Sequence, residues 1–152
     1  MIGASRNSLA LVQESMRSRS SQGDLSALSA ELLAAADILA SEKSLRQYLA
    51  DSGQPIDART SLIKDVYGTK VSSGTQEVLA ELVAARWSSG NDLVDAVELL
   101  GSQAAFVAAD KAGSLDRVEN EVFHFGRAVQ ASPELQMTLT DPSLSSQTKS
   151  AI

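Results

Sequence analysis

Two stretches of this chain are copies of one another. Leu25–Asp51 and Leu115–Asp141 align without a gap, pairing Leu25 with Leu115, Glu31 with Glu121, Leu45 with Leu135, Leu49 with Leu139 and Asp51 with Asp141. Conservative exchanges fill the intervening positions, among them Leu28/Val118, Leu32/Val122, Ala36/Gly126 and Leu39/Val129. Apolar coincidences alone are weak support, because two unrelated amphipathic helices of about 3.6 residues per turn fall into register easily. The matched punctuation is stronger: an acid inside a first helix, a polar break, a short second helix with two leucines, then Asp and a proline-containing turn. A helical element has been duplicated. One deletion beyond the aspartates would bring Ile63 opposite Ile152. Since Ile63 falls inside a helix, the expectation is a second unit cut partway.

Such an element must bury its apolar stripes against other helices. At 152 residues, 43% hydrophobic but only 4% aromatic, the chain is expected to build one domain, or one and part of another, around Leu, Ala and Val. Three prolines among many good helix formers point to an all-α fold. The formal charge of −6 argues against nucleic acid, whose phosphates require a concentrated basic surface. Arg6, Arg17 and Arg19 face only Glu14 and read as a solvated helix face. The absence of cysteine excludes disulfides, thiolate metal sites and cysteine nucleophiles, and fits a reducing compartment. No apolar run approaches the ~20 residues that cross a bilayer, so a soluble chain, tethered at most through a partner, is expected.

Periodicity lays out the helices. Ser5 is placed to cap a first helix with Leu9, Val12 and Met16, ending in the polar stretch from Ser18 to Gly23. Asp24 caps a second, striped by Leu25, Leu28, Leu32, Ala35, Ala36 and Leu39. Ser41 or Glu42 opens a short third through Leu45, Tyr48 and Leu49, closed by a turn at Asp51–Pro55. Asp57 starts a fourth with Leu62, Ile63 and Val66, terminated at Gly68. Ser73 and Gln76 have the spacing of a capping box for a fifth with Val78, Leu79, Leu82 and Val83, stopping near Trp87–Gly90. Asn91 caps a sixth, striped by Leu93, Val97, Leu100, Ala104 and Val107 and roughly 30 Å long. Gly113 and Ser114 break the chain before the second copy, in which Ser132–Pro133 supplies a cap and a first-turn proline.

Catalytic patterns are missing. Gly68-Thr69-Lys70 is a helix-ending turn with none of the fixed glycine spacing of a phosphate loop. His124, the single histidine, reads as a helix-surface residue, and a zinc site needs several clustered ligands. Glu119 and Glu121, two apart on a helix, point to different faces and cannot share a proton or metal. No Gly-x-Ser-x-Gly elbow accompanies any serine. The expectation is no catalytic residue, no metal and no cofactor. Trp87, beside Arg86, reads as a cover for one end of the bundle, with an interface anchor as the alternative. Tyr48 and Tyr67 read as packing residues. The first and fifth helices carry apolar width beyond a single stripe, so leftover surface could form a groove for an amphipathic partner helix; the plainer reading is that both are more buried than average.

The order of elements resembles a known family. Ser8-Leu9-Ala10-Leu11-Val12, the long Leu25–Ala40 helix, the brief Leu45-Arg46-Gln47-Tyr48-Leu49 helix, a proline turn, then Gln76-Glu77-Val78-Leu79-Ala80-Glu81-Leu82-Val83 with Arg86 before a long helix resemble the N-terminal domain of the delta subunit of rotary ATP synthases. The mitochondrial equivalent is the oligomycin-sensitivity-conferring protein. The resemblance runs from Ser5 to about Lys111; Asn7 stands where the family commonly has tyrosine, and Ala84-Ala85-Arg86-Trp87 replaces its usual Glu-Asn-Gly-Arg. The second copy, with Val122-Phe123-His124-Phe125-Gly126-Arg127, is similar to the inserted repeat of longer bacterial members, some fused to a b-type segment. The resemblance implies a six-helix bundle over residues 1–112 and the start of a duplicated helical repeat over 113–152. It implies a non-catalytic stator subunit on the cytoplasmic face of a bacterial membrane, peripheral, touching the membrane only through the stalk. Its partners would be the N-terminal helices of alpha subunits and a b-type stalk subunit. Leu9, Val12, Gln13, Met16, Val78, Leu79, Leu82 and Val83 would line the alpha-helix groove. A generic helical adaptor unrelated to ATP synthesis is the alternative.

Overall fold

The computed structural model describes Met1, residues 3–19 and residues 23–152, without the side chains of Arg19 and Gln147. Ser20, Ser21 and Gln22, within the polar stretch expected to end the first helix, and the Arg19 side chain, expected on a solvated face, lie outside the described residues. The described residues form α-helices and no strand: α1 (Ala4–Arg19), α2 (Leu25–Ser41), α3 (Lys43–Ala50), α4 (Ile56–Tyr67), α5 (Ser73–Ala84), α6 (Gly90–Lys111), α7 (Leu115–Ala131), α8 (Pro133–Thr140) and α9 (Ser146–Ser150). The chain divides into two units, Met1–Ala108 and Ala109–Ile152. The all-α expectation holds, and the helix order follows the periodicity.

In the first unit the stripes meet in one core. Leu32, Ala35, Ala36 and Leu39 of α2, Leu49 of α3, Ile63 and Tyr67 of α4, and Leu93, Ala96, Val97 and Leu100 of α6 are all buried there with α5. Gly101 lets α6 approach α2, since a Cβ there would stand 3.0 Å from the Leu33 side chain. α4 and α5 pack most extensively, and α5 also packs on α1 and α2. α5 therefore sits against three neighbours, which explains its apolar width. Trp87 is buried and donates from Nε1 to the Leu82 carbonyl at 2.6 Å, closing the end of α5 as expected.

Of the caps read as single serine, asparagine or aspartate residues, Asp24 and Ser132 hold and Ser5, Ser73 and Asn91 do not. Asp24 Oδ1 accepts from the amides of Ser26 and Ala27, and Ser132 Oγ from that of Leu135 with Pro133 in the first turn, as read from the sequence. Ser5 caps nothing: its hydroxyl accepts from Ser88 N at 2.8 Å and donates to Asp92 at 2.6 Å, fastening α1 to the α5–α6 connection. The α5 cap is Ser72, one residue before Ser73, and the Gln76 amide donates instead to the carbonyls of Gly68 and Val71. Ser89, not Asn91, receives the Asp92 amide at the start of α6. The α5 and α6 errors are choices between polar residues one or two apart, whereas Ser5 is drawn to partners more than 80 residues away.

The second unit repeats the first copy's local devices at a constant offset of 90. Arg46 reaches back to the carbonyls of Leu39 and Ala40, and Gln136 to those of Val129 and Gln130. Asp51 accepts from Gly53 N, and Asp141 from Ser143 N, both at 2.8 Å. The same offset relates the first turns of α4 and α9, where Arg59 N bonds to Pro55 O and Lys149 N to Ser145 O. The deletion expected beyond the aspartates is therefore absent this far: Ile152 stands opposite Leu62 rather than Ile63. Gly113 turns the chain into α7 with φ at +66°, a conformation that favours glycine.

Candidate partner-binding groove

The expected groove lies where α1 meets α5, and the structure holds α5 by both ends. At its start, the Glu31 carboxylate on α2 accepts from Ser72 N at 3.0 Å, Ser72 Oγ at 2.7 Å and Thr75 Oγ1. Burial alone would raise the Glu31 pKa, but these hydrogen bonds outweigh it and hold the group below the ordinary value. At its end, the buried Arg59 of α4 donates from Nη1 to the carbonyls of Val83, Leu49 and Ala85. These carbonyls close α5 and α3, so a cation sits where the helix dipoles are negative. Two buried serines tie α1 alongside: Ser8 Oγ donates to Arg86 O at 2.7 Å, and Ser5 makes the bonds already given.

The expected groove residues fall into two classes. Val12, Met16, Val78, Leu79, Leu82 and Val83 are buried in the unit's own core, whereas Leu9 and Gln13 are half-buried. Leu9, Gln13 and Met16 follow at steps of four and three and share one flank of α1. Leu11, which adds to the apolar width of α1, points away and is 73% exposed.

Among the described residues, a cleft of about 310 Å³ opens between the end of α1 and the starts of α2 and α5. Met16, Leu25, Leu28 and Val78 give it an apolar wall, Gly74 leaves one side bare, and Asp24 and Glu77 stand on its rim. Asp24 and Leu28 were read from the sequence only as a cap and a stripe position. No spacing signal marks them as cleft residues, since the cleft exists only once three helix ends converge.

Among the described residues no group of three or more His, Cys, Asp or Glu is placed to hold a metal. His124 is exposed on α7 and stacks edge-on against Phe123 at 5.9 Å. Glu119 and Glu121 are exposed, the latter paired with Arg117 at 3.5 Å. Tyr67 donates to the Ala35 carbonyl at 3.2 Å, and its burial pushes its pKa up to about 12. Among the described residues no helix is long and apolar enough to cross a membrane.

Comparison with known proteins adds the decisive observation. The chain is 40% identical over its whole length to "ATP synthase subunit delta" of Streptomyces coelicolor, covering 56% of that protein. It is 39% identical to the same subunit of Nocardia farcinica, over 93% of this chain and 53% of the relative. The family model "ATP synthase delta (OSCP) subunit" matches residues 102–152. The chain is similar to ATP synthase delta (OSCP) subunits over its whole length. It spans about half the length of the delta subunits it matches. The delta-family match at 102–152 falls 90 residues beyond positions 12–62, so it covers the second copy of the repeat, while the delta relatives align with both.

Proposed function

We propose that the chain is part of a non-catalytic stator subunit of a rotary ATP synthase, joining the catalytic head to a b-type peripheral stalk at the cytoplasmic face of the membrane. The observation that carries this reading is the 40% identity, without loss of either copy, to a protein named ATP synthase subunit delta. The same relationship disfavours the generic adaptor.

The head-side contact in this reading is an amphipathic helix from the N-terminus of an alpha subunit, laid along α1 and α5. Because six of the eight expected contact residues already fill the core, they shape the floor. The incoming helix meets Leu9 and Gln13 and places one apolar side chain into the cleft beside Met16 and Val78. Covering such a side chain contributes on the order of 25 cal/mol per Å² before association costs. Asp24 and Glu77 at the rim favour a basic residue next to that anchor.

A substitution that fills the cleft tests this cleanly. A Cβ at Gly74 would meet nothing within 4 Å, so Gly74→Leu leaves the fold intact and occupies the space beside Val78. Titration calorimetry with synthetic alpha N-terminal peptides should give saturable binding that weakens at least tenfold in Gly74→Leu. Leu82→Asp is unsuitable, since that fully buried position would unfold the bundle. Failure of every cognate peptide to bind the unaltered chain, or equal binding to Gly74→Leu, would remove the proposed contact.

A further inference from the structure

The buried stripe of α1 changes character along its length. Ser5, Ser8, Val12 and Met16 follow at steps of three, four and four, so they share one face, and among the described residues they are the buried ones of this helix. Val12 and Met16 make the apolar half, with Leu9 packed beside them. That is little to hold a helix of 16 residues, since α2 alone sends Leu32, Ala35, Ala36 and Leu39 into the same core. Apolar contact is also non-directional. A helix held by such side chains alone is free to rotate, or to shift by a turn of about 5.4 Å.

The polar half removes that freedom. Ser8 Oγ donates to the Arg86 carbonyl at 2.7 Å and accepts from the Arg86 amide at 3.2 Å, so one hydroxyl answers both backbone groups of one residue. Ser5 Oγ, a turn earlier, accepts from Ser88 N and donates to Asp92. Hydrogen bonds weaken steeply when misaligned, so these four together admit a single register of α1. The segment they grip is itself fixed, because Trp87 Nε1 bonds to the Leu82 carbonyl and Arg59 to those of Val83 and Ala85. Ser8 stands at the end of α5, whereas Met16 lines the cleft with Val78 near its start. The two helices therefore run antiparallel, and hydroxyls at one end set where Met16 stands at the other.

We propose that Ser5 and Ser8 are positioning residues for the partner helix. Being buried, they act through α1: they hold Leu9 and Gln13 at one spacing from Gly74, Glu77 and Val78 across the groove. The groove then selects an amphipathic helix by the number of turns between its apolar anchor and the residue that meets Leu9, beyond its apolar content alone. Buried polar groups that fix a register are the best-attested use of such bonds. The inference rests on the reading of α1 and α5 as the site for an alpha-subunit helix.

The test uses the 152-residue chain, whose lack of cysteine lets Leu11→Cys on α1 and Lys64→Cys on α4, both at exposed positions, carry a pair of spin labels. Their distance distribution should be one narrow peak in the otherwise unaltered chain, and at least twice as wide, or split, once Ser5→Ala and Ser8→Ala are added. Ser8→Ala alone should broaden it less, and replaces the double change if that unfolds the unit. Titration calorimetry then compares two synthetic alpha N-terminal peptides, one natural and one lengthened at its midpoint by four residues, about one turn. The unaltered chain should prefer the natural peptide at least tenfold; the serine variants should bind it at least tenfold more weakly and lose the preference. Ile63→Val, which loosens the same core without touching the serine bonds, should keep it. A distribution as narrow in the serine variants as in the unaltered chain, a preference that survives in them, or one lost equally in Ile63→Val overturns the proposal. Failure of the unaltered chain to bind any cognate peptide removes the reading beneath it, and is told apart because no serine variant is involved.

Discussion

The two copies of the repeat put one pattern in two surroundings. In both, the carbonyls ending the long helix are capped by the side chain at the fourth residue of the short one, Arg46 or Gln136, and the aspartate after it folds the chain back on its own amides. In both, hydrogen bonding holds that aspartate's pKa below the ordinary value, through Gly53 N first at Asp51 and the Ser143 hydroxyl first at Asp141. Yet one copy lies in a core and the other has no buried residue on its long helix. Turns and caps are written locally and survive without tertiary support; burial depends on which helices arrive afterwards.

The sharpest way to break this comparison is to truncate equivalent core-facing residues. Leu32→Ala should cost about 2–4 kcal/mol in a denaturant melt followed by helical circular dichroism, because Leu32 is fully buried. Val122→Ala should change stability by about 0.5 kcal/mol or less. Similar losses at the two sites would mean that α7 is covered in solution.

The buried cation gives the next largest contrast. Arg59→Met removes the donor shared by the carbonyls of Leu49, Val83 and Ala85 and should cost about 2 kcal/mol, with hydrogen exchange rising at the end of α5. Lys149→Met should leave the chemical melt unchanged.

The smallest contrast separates the paired glutamates by pH. Glu31 is held below its ordinary value near 4.5, so its contribution is complete above that pH and is lost as the pH falls through the lower folded value. Glu31→Gln should therefore remove about 1 kcal/mol at neutral pH and flatten the acid limb of the stability profile between pH 4.5 and the folded pKa. Glu121→Gln, at an exposed position, should change the neutral-pH stability by about 0.5 kcal/mol or less.

Much of the fold was legible in the sequence. The stripes at three and four residues, Asp24, and the Ser132–Pro133 pair identified helices and their order, because those signals depend on neighbours within a turn. Ser5, Ser73 and Asn91 misled because a hydroxyl or amide near a helix start has several bonding options, and Ser5 takes one 83 residues away. The groove was legible only as apolar excess on α1 and α5. Much of that excess serves internal packing, since α5 touches α1, α2 and α4, so the plainer reading of greater burial accounts for Val12, Met16, Val78, Leu79, Leu82 and Val83. Arg59 and Glu31, which hold α5 in place, carried no such mark. An arginine on the same helix face as Ile63 was the available sign of a buried charge.

Trp87, the chain's single tryptophan, is enclosed within the first unit with its indole nitrogen bonded. Its emission is therefore an optical reporter for that half alone, while the duplicated half stays dark. Fluorescence set beside far-ultraviolet ellipticity would then resolve whether the halves melt together or in succession, with no label added.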